Sequence, residues 1–152
     1  MKKMVVVFML IATAAFAEWH RESEIDLLTG REERVIFSFP SEVSGPDSNA
    51  YLVFGEYAGE TYLMFTLGGL KMQRGSNTVM ARIGDDVYTF HVEVTSDREA
   101  LIFTETFGIV ATMASSSVFV VRVPLEGGRT LTALWSLEGF SGALAWATEH
   151  FN

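Results

Sequence analysis

Thr78-Val79-Met80-Ala81-Arg82-Ile83-Gly84-Asp85-Asp86-Val87-Tyr88-Thr89-Phe90-His91-Val92-Glu93-Val94 is the stretch on which the reading of the fold turns. From Val87 onward apolar and polar residues alternate. Tyr88, Phe90, Val92 and Val94 share one side of an extended chain; Val87, Thr89, His91 and Glu93 share the other. That period of two is the mark of a strand with one face buried. Gly84-Asp85 between two such runs is a two-residue hairpin turn of the type that places Gly first. Residues 78–94 therefore read as a β-hairpin.

The same logic extends towards the C-terminus. Phe119, Val121 and Val123 alternate with Val118, Val120 and Arg122; then comes the turn Pro124 to Gly128. Leu131, Ala133, Trp135 and Leu137 alternate with Thr130, Thr132, Leu134 and Ser136, which makes a second hairpin. Gly139 frees the backbone, and Phe140 to Phe151 reads as a closing helix with Phe140, Leu144, Ala147 and Phe151 on its apolar side. Upstream, Val35 to Phe39 is a strand stopped by Pro40, residues 41–49 carry loop chemistry, and Tyr51 to Phe54 and Thr61 to Leu67 are strands around a turn at Tyr57-Ala58-Gly59-Glu60. Ala100 to Phe103 is a short strand. Thr104 is placed to cap a helix from about Glu105 to Ala114, whose apolar stripe would be Phe107, Val110, Ala111 and Ala114.

These elements amount to about eight strands with one inserted helix and one C-terminal helix. The expected fold is mainly β: an antiparallel β-sandwich or half-open barrel. A βαβ design would need a helix between each pair of strands.

The first seventeen residues are of another kind. Lys2 and Lys3 precede an uncharged run from Met4 to Phe16 that ends Ala15-Phe16-Ala17. A positive start, a short apolar centre and a small-x-small end make a signal peptide; a spanning helix needs roughly 20 apolar residues. The expectation is a leader at 1–17 and a single domain at 18–152, in the periplasm of a bacterium and without membrane insertion once the leader is cut. The chain has no Cys, so no disulfide can hold that domain and no lipid can be attached to an N-terminal Cys.

Charge narrows the partners. The chain holds 11 Lys and Arg against 19 Asp and Glu, a net of −8; losing Lys2 and Lys3 with the leader leaves 9 against 19, a net of −10. A chain of that sign repels phosphate backbones, so no nucleic acid is expected. Anionic membrane surfaces are disfavoured for the same reason.

A survey for chemistry returns no catalytic residue, no metal ligand set and no cofactor motif. Without Cys there is no thiol nucleophile. His20, His91 and His150 are far apart in sequence and form no ligand pair. The acidic candidates for two-carboxylate hydrolysis are Glu32-Glu33, Asp85-Asp86, Glu56 with Glu60, and Glu93 with Glu105, and each also reads as solvated or turn-forming charge. No Gly-x-Ser-x-Gly and no phosphate-cradling loop occurs, and Ser115-Ser116-Ser117 has no nearby base. Among Trp19, Trp135 and Trp146, Trp135 reads as core. No calcium loop is present. The chain is therefore read as a non-enzyme.

Taken together, the order of pieces resembles the periplasmic type VI secretion-associated family called TagO or VasI. The pieces are Thr78 to Ile83 with Gly84-Asp85, Thr95-Ser96-Asp97-Arg98-Glu99-Ala100, Val120-Val121-Arg122-Val123, and Ser136-Leu137-Glu138-Gly139-Phe140-Ser141-Gly142-Ala143-Leu144. They are similar to the family's S-x-D-x-x-A turn, with Thr95 in the place of its Ser, its V-R-V strand and its closing step into a helix. Trp19, Ser23, Ile25 and Asp26 are similar to its opening. Family members commonly carry cysteines, which this chain lacks. The stretch 136–144 is also similar to the end of invasion-associated locus B proteins. The resemblance implies an exported accessory domain without known catalysis, with a cell-envelope protein as partner. Arg82, Arg122, Asp97 and Gly139 fall on its motif positions, where the two arginines could pair with carboxylates across a sheet. The loop 41–49 and the turn from Gly55 to Glu60 are the expected contact regions. Two rival readings are a carrier with a cavity between the sheets, lined by Phe65, Phe90, Phe119 and Trp135, and a small two-carboxylate hydrolase.

Overall fold

Alternating runs joined by glycine turns become antiparallel strands throughout. A computed structural model describes residues 18–149 and 151; the expected leader at 1–17 and His150 lie outside the described residues. The strands are β1 (His20–Ile25), β2 (Glu32–Ser38), β3 (Glu42–Ser44), β4 (Tyr51–Tyr57), β5 (Glu60–Thr66), β6 (Thr78–Ile83), β7 (Asp86–Val94), β8 (Ala100–Phe103), β9 (Val118–Pro124) and β10 (Thr130–Ser136). Helix α1 (Thr106–Ala114) lies between β8 and β9, and α2 (Phe140–Thr148) follows β10. The strands form one open sheet in the order β1-β2-β4-β5-β8-β7-β6-β9-β10-β3. The mainly β class and the two helices stand as expected, with ten strands among the described residues rather than about eight.

The hairpin at 78–94 has the expected register. Ile83 pairs with Asp86 and Thr78 with His91. Gly84 has φ 61° and Asp85 stays out of the left-handed region, so only the first turn residue needs the freedom of glycine. Strand β7 then serves two neighbours in succession. Residues 86–91 pair with β6, and Val92, Glu93 and Val94 pair with Phe103, Ile102 and Leu101 of β8. The sheet curls at this strand, so that its two halves face each other. Phe65 on β5 meets Trp135 on β10 with ring centroids 5.2 Å apart, and Phe103 on β8 meets Phe119 on β9 at 6.4 Å. Edge-on ring pairs of this kind add to the gain from burial.

The far edges of the curl are tied by single bonds. Trp135 Nε1 donates to Ser38 O at 3.0 Å, Ser41 N donates to Leu134 O at 2.8 Å, and Trp19 Nε1 donates to Ser136 O at 3.2 Å. The chain crosses from one edge to the other at Pro40, which explains β3: residues 42–44, expected as loop, pair with β10. Strand β1 was not expected because four of its six residues are exposed and none is buried. Edge strands carry little apolar alternation to read.

Both helices depart from expectation in detail. In α1 the buried residues are Thr106, Ile109, Val110 and Met113, while Phe107 is 58% exposed. The cause is Thr106, whose hydroxyl accepts Leu63 N at 3.3 Å and donates to Phe103 O at 3.0 Å. That anchor rotates the helix by one residue from the expected stripe. Thr104 does not cap it; its hydroxyl donates to His91 O. In α2 the chain enters through Gly139 at φ 83° and the helix stops at Thr148, short of Phe151.

Candidate functional site

The face of β7-β6-β9-β10-β3 turned away from the core is the candidate site. Register fixes what lies on it. One row across the strands runs Val87, Arg82, Val120, Leu134, Glu42, and the next runs Thr89, Met80, Arg122, Thr132, Ser44. Met80 is 50% and Val87 62% exposed. Between them lies a hollow of about 210 Å³ lined by Met80, Ala81, Arg82, Val87, Val120, Arg122 and Thr132.

Among the described residues the two arginines are not paired with carboxylates, contrary to expectation. Arg82 Nη1 donates to Gly84 O, and Arg122 Nε donates to Thr132 Oγ1 at 3.2 Å. Of the other cations, Arg31 pairs with Glu56, Arg34 with Glu32 and Glu149, Lys71 with Glu99 and Arg98 with Glu126, while Arg21, Arg74 and Arg129, like Arg82 and Arg122, enter no ion pair among the described residues. In a chain of net charge −8, Arg82 is half-buried and Arg122 exposed on this face. Guanidinium forks fit carboxylates in a bidentate manner. The apolar side chains around them supply surface whose burial would add to such a contact.

The other expected residues fall as follows. Glu33 is buried and spent on a turn, accepting the backbone N–H groups of Ala58 at 3.1 Å and Gly59 at 2.8 Å; it is not a solvated charge. Glu56 is buried and lies 3.5 Å from Arg31. Asp85 and Asp86 sit at the end of the β6–β7 hairpin, and Glu105 precedes α1. Glu60 and Glu93 act on one group, Tyr62, whose phenol is raised in pKa by burial first and then by both carboxylates. None of these acids lines the 210 Å³ hollow, nor a second hollow of about 320 Å³ lined by Tyr51, Thr66, Gly68, Gly69, Thr95, Asp97, Glu99 and Ala100. Asp97, in that second hollow, is taken up by its own turn. It accepts Thr95 Oγ1 at 2.7 Å and Glu99 N at 2.9 Å, bonds that hold its carboxyl below the usual range.

His91 is exposed on β7 as expected, and the His20 ring lies tilted against Phe37, centroids 5.4 Å apart. No group of three or more His, Asp or Glu suited to a metal occurs among the described residues. The carrier reading needs a space around Phe65, Phe90, Phe119 and Trp135. Phe65, Phe119 and Trp135 are fully buried against one another, with Phe119 and Trp135 at 5.8 Å, and neither hollow touches them. Trp146 is covered by cations: the guanidinium of Arg34 lies 4.7 Å from its ring centre and that of Arg21 5.7 Å. Of the expected contact regions, 41–49 contributes only its β3 residues to the candidate face.

Sequence reasoning placed Arg82 and Arg122 on strands but missed their shared hollow, because they meet only through the pairing of β6 with β9. It also passed over Leu27 and Leu28, which are 95% and 93% exposed.

What fold and face together define is a mainly β domain with one uncovered, half-apolar, cationic sheet face. No protein-family model, no curated protein and no solved structure matches the chain. No described helix is long and apolar enough to cross a membrane.

Proposed function

We propose that this chain is an exported, non-catalytic interaction module of the bacterial periplasm, and that the outer face of β7-β6-β9-β10 is where it binds protein. The observation that carries this reading is the pair Arg82 and Arg122, open to carboxylate acceptors on a face that no described element covers. The leader-like residues 1–17 support export. The acidic balance speaks against nucleic acid. The resemblance to the TagO or VasI family suggests an accessory role in the cell envelope.

The test has two arms. Fractionation of producing cells, with N-terminal sequencing, should return a chain beginning near Glu18 in the periplasmic fraction. A photo-activated cross-linker placed at Thr89, on the same face, should then give a discrete protein adduct that R82E/R122E abolishes. An uncleaved cytoplasmic chain would overturn the export arm, and an adduct indifferent to R82E/R122E the binding arm.

A further inference from the structure

Four strands break the alternation that marks β7. Val35-Ile36-Phe37 on β2, Tyr51-Leu52-Val53-Phe54 on β4, Tyr62-Leu63-Met64-Phe65 on β5 and Leu101-Ile102-Phe103 on β8 are apolar at successive positions. Apolar runs without alternation mark strands covered on both sides. One side is covered: Ile36, Phe54, Leu63 and Phe103 join the main core, as do Met113 of α1 and Phe140 of α2. On the other side, pairing places His20, Phe37, Val53, Met64, Ile102 and Glu93 in one row. Glu22, Val35, Gly55 and Tyr62 form the next, since opposed residues share a face. Phe37 and Val53, 1% and 5% exposed, make a second cluster with Val35, Phe39 and Tyr51, apart from the main core. No helix residue joins that cluster. Its cover is its own neighbours, and Val35, Phe39, Tyr51, Tyr62, Met64 and Ile102 are each only half-buried. The hollow of about 320 Å³ opens on the same side, at Tyr51, Thr66 and Ala100.

The charges on this face are negative. Its two rows, and their continuation at Tyr57 and Glu60, hold no Lys or Arg. Glu22, Glu60 and Glu93 enter no ion pair among the described residues. Glu60 and Glu93 both act on the Tyr62 phenol, and Tyr57, 51% exposed, pairs with Glu60. Two tyrosines and two carboxylates at one end of an apolar face suit an ammonium or guanidinium, which gains from the charges and from the rings. We propose that the outer face of β2-β4-β5-β8 takes an amphipathic helix of another protein. Its apolar side would rest on Val35, Met64 and Ile102, and its lysines or arginines would meet Glu22, Glu60 and Glu93. A helix laid on a sheet covers the apolar side of each. A second copy meeting this face with its own would set carboxylate against carboxylate, and the charge of −8 adds to that repulsion. The surface is separate from the Arg82/Arg122 face, and neither reading needs the other.

Fluorescence anisotropy tests this with two labelled helical peptides, one of leucine and lysine and one of leucine and glutamate. The purified chain should bind the leucine–lysine helix with a Kd of about 10–100 µM, and more weakly as salt rises. It should bind the leucine–glutamate helix at least about tenfold more weakly. E60K/E93K should weaken binding of the first peptide by about tenfold or more. D85K/D86K makes the same change of charge at the β6–β7 hairpin and should leave it unchanged, and R82E/R122E should not weaken it. Ile102→Ser should weaken it with the salt dependence intact, since it removes apolar surface alone. Should Ile102→Ser lose its cooperative melt, amide shifts of the wild-type chain carry the same comparison: the peptide should move those of β4, β5 and β8 and not those of β6 and β9. A chain that binds neither peptide, or both alike, overturns the proposal. So does an affinity that follows net charge alone, E60K/E93K and D85K/D86K falling together, or one lost in R82E/R122E. A dimer in sedimentation that Ile102→Ser dissolves would assign the face to a second copy, and phosphatidylcholine vesicles bound through Ile102 would assign it to lipid; either result also overturns the proposal.

Discussion

The carboxylate of Glu33 reaches from β2 to the tip of the next hairpin and accepts the N–H of Gly59 at 2.8 Å. Its other oxygen accepts Ala58 N at 3.1 Å. Ala58 at φ 53° and Gly59 at φ 84° both lie in the left-handed region, as a two-residue turn of this hand requires. An alanine there costs about 1 kcal/mol, and the buried carboxylate offsets it. Glu33→Ala should lower stability by about 1–3 kcal/mol, read from the urea midpoint, and Ala58→Gly should leave it equal or raise it by up to about 1 kcal/mol.

Trp135 closes the curl. Its ring is fully buried between Phe65 and Phe119, and its N–H donates to Ser38 O on the opposite edge. Trp135→Phe keeps most of the packing and strands the carbonyl, at about 1–3 kcal/mol. Trp135→Ala also opens a cavity, and the loss should reach about 3–5 kcal/mol. Equal losses for the two in urea unfolding would show that the bond, and not the packing, holds the seam.

Arg34 ties the last helix to the sheet. It donates to Trp146 O at 2.7 Å and to Glu149 Oε1 at 2.7 Å, meets Glu32 at 3.1 Å, and lies over the Trp146 ring. Its side chain is only 16% exposed, so the contact is more than a loose surface pair. Arg34→Lys keeps the charge but loses the planar fork. It should lower the urea midpoint and speed amide exchange over residues 146–149 while leaving the β6–β7 hairpin unchanged.

Protonation of His20 opposes folding. Burial lowers its pKa from the ordinary 6.5, against the pull of Glu18. The folded chain therefore binds fewer protons than the unfolded one just below pH 6.5, so stability is full above that value and falls as pH drops through it towards the lowered value. The melting temperature should decline between about pH 7 and pH 5, and His20→Gln should flatten that decline.

How far the fold could be read depended on the range of each interaction. The hairpin at 78–94 was legible because alternation and Gly84-Asp85 act within a few residues. Strand β1 was not, since an exposed edge carries no apolar period. The rotation of α1 was not, since Thr106 is turned by Leu63, which lies 43 residues away along the chain. The candidate face shows the same division. Arg82 and Arg122 can be assigned to strands from their neighbours, but whether their guanidiniums meet carboxylates depends on which strands pair.

The sequence alone settled the β character, the turn positions of the two central hairpins and the absence of any crosslink, because these follow from residue type and from side-chain period along a single strand. Tertiary structure alone decided that β7 passes from one neighbour to the next and that β3 fills a loop. It also decided that the arginines stay unpaired around one hollow and that Leu27 and Leu28 stand clear of the core. The physical reason is that exposure and charge pairing belong to surfaces, and a surface is made by residues that only folding brings side by side.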